Sequence, residues 1–456
     1  MKVIVEPVGF VNDLIGKARK QEASERMTKH CVTAECDGGT LLYHTLTGEL
    51  IYLDEKERNT PVTCNLLTEK HFLIGCDCDE NRISDHVRTV AGIMRSGMTD
   101  VTDFTILTTT DCNARCFYCY EKGIRRYSMS AETAEATADF IRSSSGGKKI
   151  GISWFGGEPL FNKEAISLIS NKLEKAGTAF SSHMTSNGLL FDEETIKEAV
   201  SLWRMNRVQI TIDGTEEVYN RIKAYVEKQG SPYRTVIRNI GMLTDAGVRV
   251  FVRLNMNRAN FDNLMQLAGE LGILFGGNRL FCAYPVPLRA FAGEVGEFEN
   301  PGDEINAYRA LKEKLFSLGI GRNEKLLRAY SPTRCMADND GNLVIFPDGR
   351  LSKCEHYCEK DVIGDIFSGV RDHVSAGAWK EKTVFDGCSD CPLYPRCINL
   401  KKCPWAAFGC SEAVREIRIS NIRDKMISEY RSFISRADGP ISQPLSGGYA
   451  PAGYDS

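Results

Sequence analysis

Three cysteines stand at C-x3-C-x2-C in the stretch Asp111-Cys112-Asn113-Ala114-Arg115-Cys116-Phe117-Tyr118-Cys119. Thiolates are soft ligands that select iron–sulfur clusters, zinc or Cu(I). Spacings this tight let one loop wrap around a single inorganic group. Three ligands leave a four-iron cluster with one iron open, and an open metal position is where chemistry occurs. The other readings fit less well. A structural zinc site is closed by four ligands, and no fourth Cys or His lies near the loop. Disulfides would leave one cysteine over, and they belong to oxidising compartments.

The elements that must hold this loop follow from the pattern of the chain. Between about 101 and 290, strands and helices alternate, the pattern of a parallel sheet with crossover helices. Strands are expected at Phe104–Leu107, Ile150–Phe155, Ser182–Thr185, Arg207–Ile212, Arg249–Leu254 and Arg279–Ala283. Amphipathic helices are expected at Ala131–Ser143, Lys163–Ala176, Glu193–Leu202, Tyr233–Ala246 and Asn260–Leu271. Six such units suit a partial (β/α)6 barrel rather than a closed eight-fold one of ~250 residues, and active groups of barrels gather at the C-terminal strand ends. The cysteine loop follows the first strand. Gly156-Gly157-Glu158-Pro159 follows the second, Ser186-Asn187-Gly188 the third, Asp213-Gly214 the fourth and Asn255 the fifth.

The cysteine loop, with aromatic Tyr118 before its third cysteine, resembles the signature of radical S-adenosylmethionine (SAM) enzymes. The resemblance implies a [4Fe-4S] cluster on Cys112, Cys116 and Cys119, with SAM bound through its amino and carboxylate groups to the open iron. Gly156, Gly157 and Glu158 resemble the family's GGE motif, which holds the SAM amino group. Ser186 and Asn187 resemble its ribose-contacting segment, and Asp213 its acidic residue near SAM or substrate. Arg253 resembles the arginine that pairs with the SAM carboxylate, for which a planar fork is suited. One-electron cleavage of SAM would yield a 5′-deoxyadenosyl radical that takes hydrogen from a substrate.

Seventeen cysteines are unusual in a chain of 456 residues, and eight of them fall between Cys335 and Cys410. Thirteen residues separate Cys335 from Gly349, which opens a G-x4-C to Cys354; then come Cys388-x2-Cys391-x5-Cys397, Cys403 and Cys410. This resembles the SPASM domain, which carries auxiliary four-iron clusters in peptide-modifying radical SAM enzymes. It departs from that pattern in the five residues between Cys397 and Cys403. Two zinc ribbons are the alternative. The resemblance implies two auxiliary [4Fe-4S] clusters, one on Cys388, Cys391, Cys397 and Cys410, the other on Cys335, Cys354 and Cys403. Cys358 would complete the second, or an open iron there would bind the substrate's thiolate. Glu355 occupies the place of an aspartate base in sulfatase maturases; a surface glutamate is the plainer reading.

Residues 1–100 read as a small α+β unit, with a hairpin of Leu41–Tyr43 and Leu50–Leu53 around Thr47-Gly48 and a helix from Asp85 to Met98. Such units resemble peptide-recognition domains that take a leader peptide as an added strand; a buttress for the barrel is the alternative. Cys31, Cys36, Cys64, Cys76 and Cys78 read as packing. Residues 291–330 read as a helical bridge, 331–435 as the SPASM domain, and 436–456 as a disordered tail rich in Gly, Pro and Ser. The net charge of −3 gives no reason to expect nucleic acid or an anionic membrane as partner. No apolar run approaches a membrane span, and the first residues lack a signal-peptide pattern, so a cytoplasmic protein is expected.

The chain thus reads as an α/β enzyme: a partial (β/α)6 radical SAM barrel between a small α+β N-terminal domain and a C-terminal iron–sulfur SPASM domain. The expected function is a peptide maturase that installs a thioether or carbon–carbon crosslink in a ribosomally made precursor peptide, with a reductase, flavodoxin or ferredoxin as electron donor. A formylglycine-forming sulfatase maturase and a non-catalytic iron–sulfur or zinc scaffold are the alternatives.

Overall fold

The computed structural model describes residues 2–5, 24–57, 60–95, 100–226, 230–289, 296–322, 326, 335–357, 361–397, 400–404 and 409–437. Cys358, the tail beyond 437 and the last residues of the helix expected to reach Met98 lie outside them. Among the described residues no helix is long and apolar enough to cross a membrane.

The N-terminal region contains β1 (Lys2–Val5), β2 (Glu25–Met27), β3 (Cys31–Cys36), β4 (Gly39–His44), β5 (Leu50–Asp54), α1 (Pro61–Glu69), β6 (Leu73–Gly75) and α2 (Glu80–Arg95). Strands β4 and β5 form the expected hairpin, in an antiparallel sheet ordered β1-β5-β4-β3. Every residue of β4 is buried, because the sheet is covered on both faces. Leu42, Ile51 and Leu53 pack with Leu67 and Phe72 on one side. Val32, Leu41, Tyr43 and Leu50 meet Leu393, Tyr394, Ile419 and Met426 of the C-terminal region on the other.

The parallel sheet follows as β7 (Asp103–Thr109), α3 (Ala131–Ser144), β8 (Ile150–Gly156), α4 (Lys163–Lys175), β9 (Phe180–Ser186), α5 (Glu193–Ser201), β10 (Met205–Thr211), α6 (Glu216–Lys223), α7 (Pro232–Asp245), β11 (Arg249–Met256), α8 (Phe261–Phe275) and β12 (Phe281–Pro287). Each expected strand and helix is present, with ends shifted by a few residues. In β8, Ile150, Ile152 and Trp154 are buried against helices while Gly151, Ser153 and Phe155 turn to the concave side, the alternation that a period of two requires. Helix starts are set by side-chain caps: Ser130 accepts from Thr133 N–H, Asp192 from Thr195 N–H, and Ser231 from Arg234 N–H ahead of α7. Trp154, Ile166, Val208, Val236 and Leu264 lie in the core between sheet and helices.

Helix α9 (Pro301–Ser317) lies against β12 and α8. The sheet then extends past β7. Strand β13 (Asn342–Ile345) pairs parallel to it, and β14 (Arg350–Ser352), β15 (Gly364–Asp365) and β16 (Gly369–Val370) continue it antiparallel. An open edge of β7 is covered in this way. A short α10 (His373–Gly377) precedes the cysteine-rich segment, and α11 (Glu412–Ala437) closes the described chain. Asn421 and Asp424 of α11 bind Tyr308 and Lys312 of α9, so the C-terminal helix bridges the barrel and the N-terminal sheet.

Candidate active site

The cysteine loop leaves β7 through Thr108, Thr109 and Thr110, all buried. Thr108 Oγ1 donates to Pro159 O at 3.1 Å, and Asp111 N–H donates to Thr109 Oγ1 at 3.0 Å. Thr110 and Tyr127 exchange hydrogen bonds through Thr110 N–H to Tyr127 O, 3.0 Å, and Tyr127 N–H to Thr110 Oγ1, 3.0 Å. Both ends of the loop are therefore clamped at the strand end. Within it Cys119 N–H donates to Cys116 O, 3.2 Å, and Cys112 Sγ accepts from Ala114 N–H, 3.3 Å. Burial pushes the Cys112 thiol up to about 12 and Cys119 to about 11, so a metal bound by them would displace these protons.

Gly156 and Gly157 lie against this loop. Gly157 N–H donates to Thr109 O at 3.1 Å and Glu158 N–H to Asp111 O at 2.9 Å. A Cβ on Gly156 would lie 2.1 Å from Thr109 O, and one on Gly157 2.2 Å from Asp111 O. The close approach that these glycines allow is to the chain's own backbone at the root of the loop. Glu158 is fully buried. One carboxylate oxygen accepts from Ser186 Oγ at 2.8 Å and Leu160 N–H at 3.2 Å, the other from Asn187 N–H at 2.7 Å. Burial pushes this carboxyl up to about 7 against those hydrogen bonds. The side chain of Asn187 donates to Asn113 Oδ1 at 2.6 Å and reaches Cys112 Sγ at 3.9 Å. Glu158, Ser186 and Asn187 thus form a brace between the strand-three turn and the cysteine loop.

Tyr118 Oη donates to Asp213 Oδ2 at 2.7 Å, and Lys223 Nζ lies 3.1 Å from the same carboxylate oxygen. Asp213 Oδ1, buried, has no hydrogen-bond partner among the described residues, an acceptor facing a donor the protein does not supply. Lys223 escaped sequence reading because a lysine ending a short amphipathic helix reads as a solvated C-terminal charge. Helix α6 itself was not expected.

Arg253, on β11, donates from Nε to Asn255 Oδ1 at 2.9 Å. After burial and the opposing effect of Glu355, Arg253 also helps push the His356 imidazole down. His356 packs on Tyr120 with ring centroids 4.0 Å apart. Burial, with Glu355 adding to it, pushes the Glu121 carboxyl up to about 7. Glu355 therefore lies beside the cysteine loop. Glu121 and His356 join it there, found by packing and not by any sequence motif.

Cys388, Cys391, Cys397 and Cys410 line one small recess together with Arg415 and Arg418 of α11. Cys335, Cys354 and Cys403 surround Trp379 and Leu400 in a separate small core. Among the described residues no three Cys, His, Asp or Glu side chains close on a point that would hold one metal ion. All three sets offer soft thiol donors, which suit iron–sulfur clusters or zinc by their chemistry. The unpartnered Asp213 oxygen beside the first set fits a bound hydrogen-bond donor such as SAM.

Residues 106–269 match the model of the Radical SAM superfamily. The chain is 27% identical over 184 residues to the probable GTP 3′,8-cyclase of Methanocaldococcus jannaschii, covering 38% of this chain and 57% of that one. It is 23% identical over 292 residues to the probable GTP 3′,8-cyclase of Thermococcus kodakarensis, covering 60% and 91%. It spans about half the length of most of the curated relatives it matches. Among solved structures, anSMEcpe with bound AdoMet superposes with a TM-score of 0.54 at 15% identity, covering 73% of this chain and 98% of that one. Streptococcus suis SuiB bound to its precursor peptide SuiA gives 0.50 at 12%, covering 82% and 94%. At these identities the likeness is one of fold.

Proposed function

From the premise that residues 106–269 form the radical SAM domain of an enzyme, we propose that this protein modifies a ribosomally made peptide, installing a thioether or carbon–carbon crosslink. Cys112, Cys116 and Cys119 would hold the [4Fe-4S] cluster, and Tyr118, the Gly156-Gly157 backbone, Asp213 and Arg253 would line the SAM site braced by Glu158, Ser186 and Asn187. A reduced cluster and SAM held there would supply one-electron radical chemistry for removing a substrate hydrogen. The chain's own part is to orient the substrate against that centre, exclude water, and receive a proton at the Glu355 carboxylate beside the cysteine loop.

One observation carries the peptide reading: the C-terminal cysteines gather into two sets of their own. Auxiliary clusters on Cys388, Cys391, Cys397 and Cys410, and on Cys335, Cys354 and Cys403, would take up the product electron or bind a substrate thiolate. The likeness to SuiB with its precursor peptide supports the same substrate class. Strand β1 occupies the β5 edge of the N-terminal sheet, and Arg423 Nε donates to Thr33 O on the β3 edge at 3.0 Å. A leader peptide added to this sheet would therefore pair outside β1 or beside the upper part of β3. The protein would act in the cytoplasm with a reductase, flavodoxin or ferredoxin as donor. The curated relatives favour a second reading, a nucleotide substrate.

The test is anaerobic reconstitution with SAM and dithionite, offering GTP in one arm and, in the other, a peptide from any short Cys-rich reading frame found beside the gene. The proposal expects 5′-deoxyadenosine and a mass change in the peptide. Cys116→Ala abolishes both, and Cys391→Ala leaves cleavage without modified peptide. Consumption of GTP with unaltered peptide supports the second reading, and absence of 5′-deoxyadenosine defeats both.

A further inference from the structure

Lys223 and Asp213 form the most enclosed ion pair among the described residues, with side chains 3% and 1% exposed. Withdrawing two charges from water is costly, and stability alone is a weak reason for such a pair. Its location supplies a better one. Lys223 Nζ lies 3.1 Å from Tyr118 Oη, in the span between Cys116 and Cys119, and 5.8 and 5.7 Å from the ring centroids of Tyr118 and Tyr219. The ammonium acts electrostatically on Cys116, Cys119 and Glu158 as well as on Asp213, and at Cys116 its effect exceeds the opposing one of the Asp213 carboxylate. Burial opposes its charge, yet Asp213, Tyr118 and Cys116 hold its proton well above the ordinary range.

The same residue grips the loop through its backbone. Lys223 O accepts from Arg115 N–H at 2.8 Å, and Val226 N–H donates to Asn113 O at 2.9 Å. Between them Ala224 has a φ of +44°, a left-handed conformation that alanine adopts only under constraint. The end of α6 thus holds the chain between Cys112 and Cys116 while its ammonium faces the chain between Cys116 and Cys119.

We propose that Lys223 is a positioning residue that holds the cysteine loop in ligating shape and, as a fixed buried cation, raises the reduction potential of the cluster there. The inference rests on the reading that Cys112, Cys116 and Cys119 hold that cluster. Reduction adds negative charge to the cluster, and a nearby cation in a low-dielectric site favours the reduced state.

The test compares Lys223→Met, Lys223→Gln and Lys223→Arg with the unaltered full chain, each reconstituted anaerobically. Iron per chain is measured, and the EPR signal that changes on SAM addition is followed in a potentiometric titration. Lys223→Met and Lys223→Gln are expected to lower the reduced-to-oxidised ratio at fixed potential at least about tenfold, ~59 mV for a one-electron couple. Lys223→Arg should stay within about threefold of the unaltered chain. An unchanged ratio in either neutral variant overturns the proposal. If both neutral variants fail to load iron while Lys223→Arg loads it, the positioning role stands on charge. If all three fail, shape and not charge is what the loop requires, and the proposal is overturned. An unaltered chain with no SAM-responsive signal defeats the underlying cluster reading instead.

Discussion

Two glycines at the root of the cysteine loop and one in the turn ahead of β8 allow backbone strain and steric exclusion to be separated by three alanine substitutions. Gly147 has a φ of +74°, and nothing lies within 4 Å of the place an alanine methyl would take, so Gly147→Ala tests strain alone. A Cβ on Gly157 would lie 2.2 Å from Asp111 O and 2.6 Å from Asp111 C, at a φ outside the left-handed region, and tests the clash alone. Gly156 has both, a φ of +120° and Thr109 O at 2.1 Å. Left-handed strain costs about 1–2 kcal/mol per residue, and forcing extra volume into packed structure about 1–3 kcal/mol. The expected losses are therefore about 1–2 kcal/mol for Gly147→Ala, about 1–3 for Gly157→Ala and about 2–5 for Gly156→Ala. The atoms struck are main chain, which cannot swing aside as a flexible side chain would. Relief must move Thr109 or Asp111, and with them Cys112. Gly156→Ala and Gly157→Ala should lose iron as well as stability, whereas Gly147→Ala should keep its iron. Denaturation midpoints by circular dichroism and iron per chain decide the matter; midpoints are compared by rank because a chain of this size need not unfold in two states. A Gly156→Ala protein as stable and as iron-loaded as Gly147→Ala would refute the reasoning.

Two further outcomes concern the N-terminal sheet. Arg396 is buried, donating from Nη1 to Tyr43 Oη at 2.8 Å and to Thr45 O. Arg396→Met should weaken the docking of the sheet by about 2–3 kcal/mol and hasten release of an N-terminal fragment under limited proteolysis; digestion at the unaltered rate would count against this contact. Burial, followed by His71 and Arg396, pushes the His44 imidazole from its ordinary 6.5 down to about 3. Between those values the unfolded chain binds a proton that the folded chain refuses, so stability falls as the pH drops below about 6.5, by about 1.4 kcal/mol at about pH 5.5. His44 Nδ1 accepts from Leu46 and Thr47 N–H, both at 3.3 Å, and asparagine can accept similarly. In His44→Asn the acid slope of the denaturation midpoint should be shallower by about one proton, and an unchanged slope would sink the assignment.

Much of the barrel was legible because its signals are local. Strand β8 alternates, α4 carries apolar residues three and four apart, and the caps Ser130 and Asp192 precede their helices; each depends on residues close in sequence. The places of the candidate-site segments followed for the same reason, since parallel strands bring their C-terminal ends to one rim and Cys112, Gly156, Ser186, Asp213 and Asn255 each stand at or just past a strand end. Gly156, Glu158 and Asn187, which the resemblance assigns to SAM, also make contacts within the protein that brace the loop. Those contacts depend on distances between segments that no local pattern encodes.

The alternation of strands and helices and the spacing of soft thiol donors were set by the order of residues alone, because hydrophobic period and thiol chemistry are properties of neighbouring residues. The assembled fold was needed to show that β13 extends the barrel sheet, that α11 ties α9 to the N-terminal sheet, and that seven C-terminal cysteines divide into two sets. It was also needed to place Lys223 against the cysteine loop. A lysine in sequence is a solvated charge; it becomes a buried one only where Asp213 and Tyr118, brought from other strand ends, supply the partners that offset its removal from water.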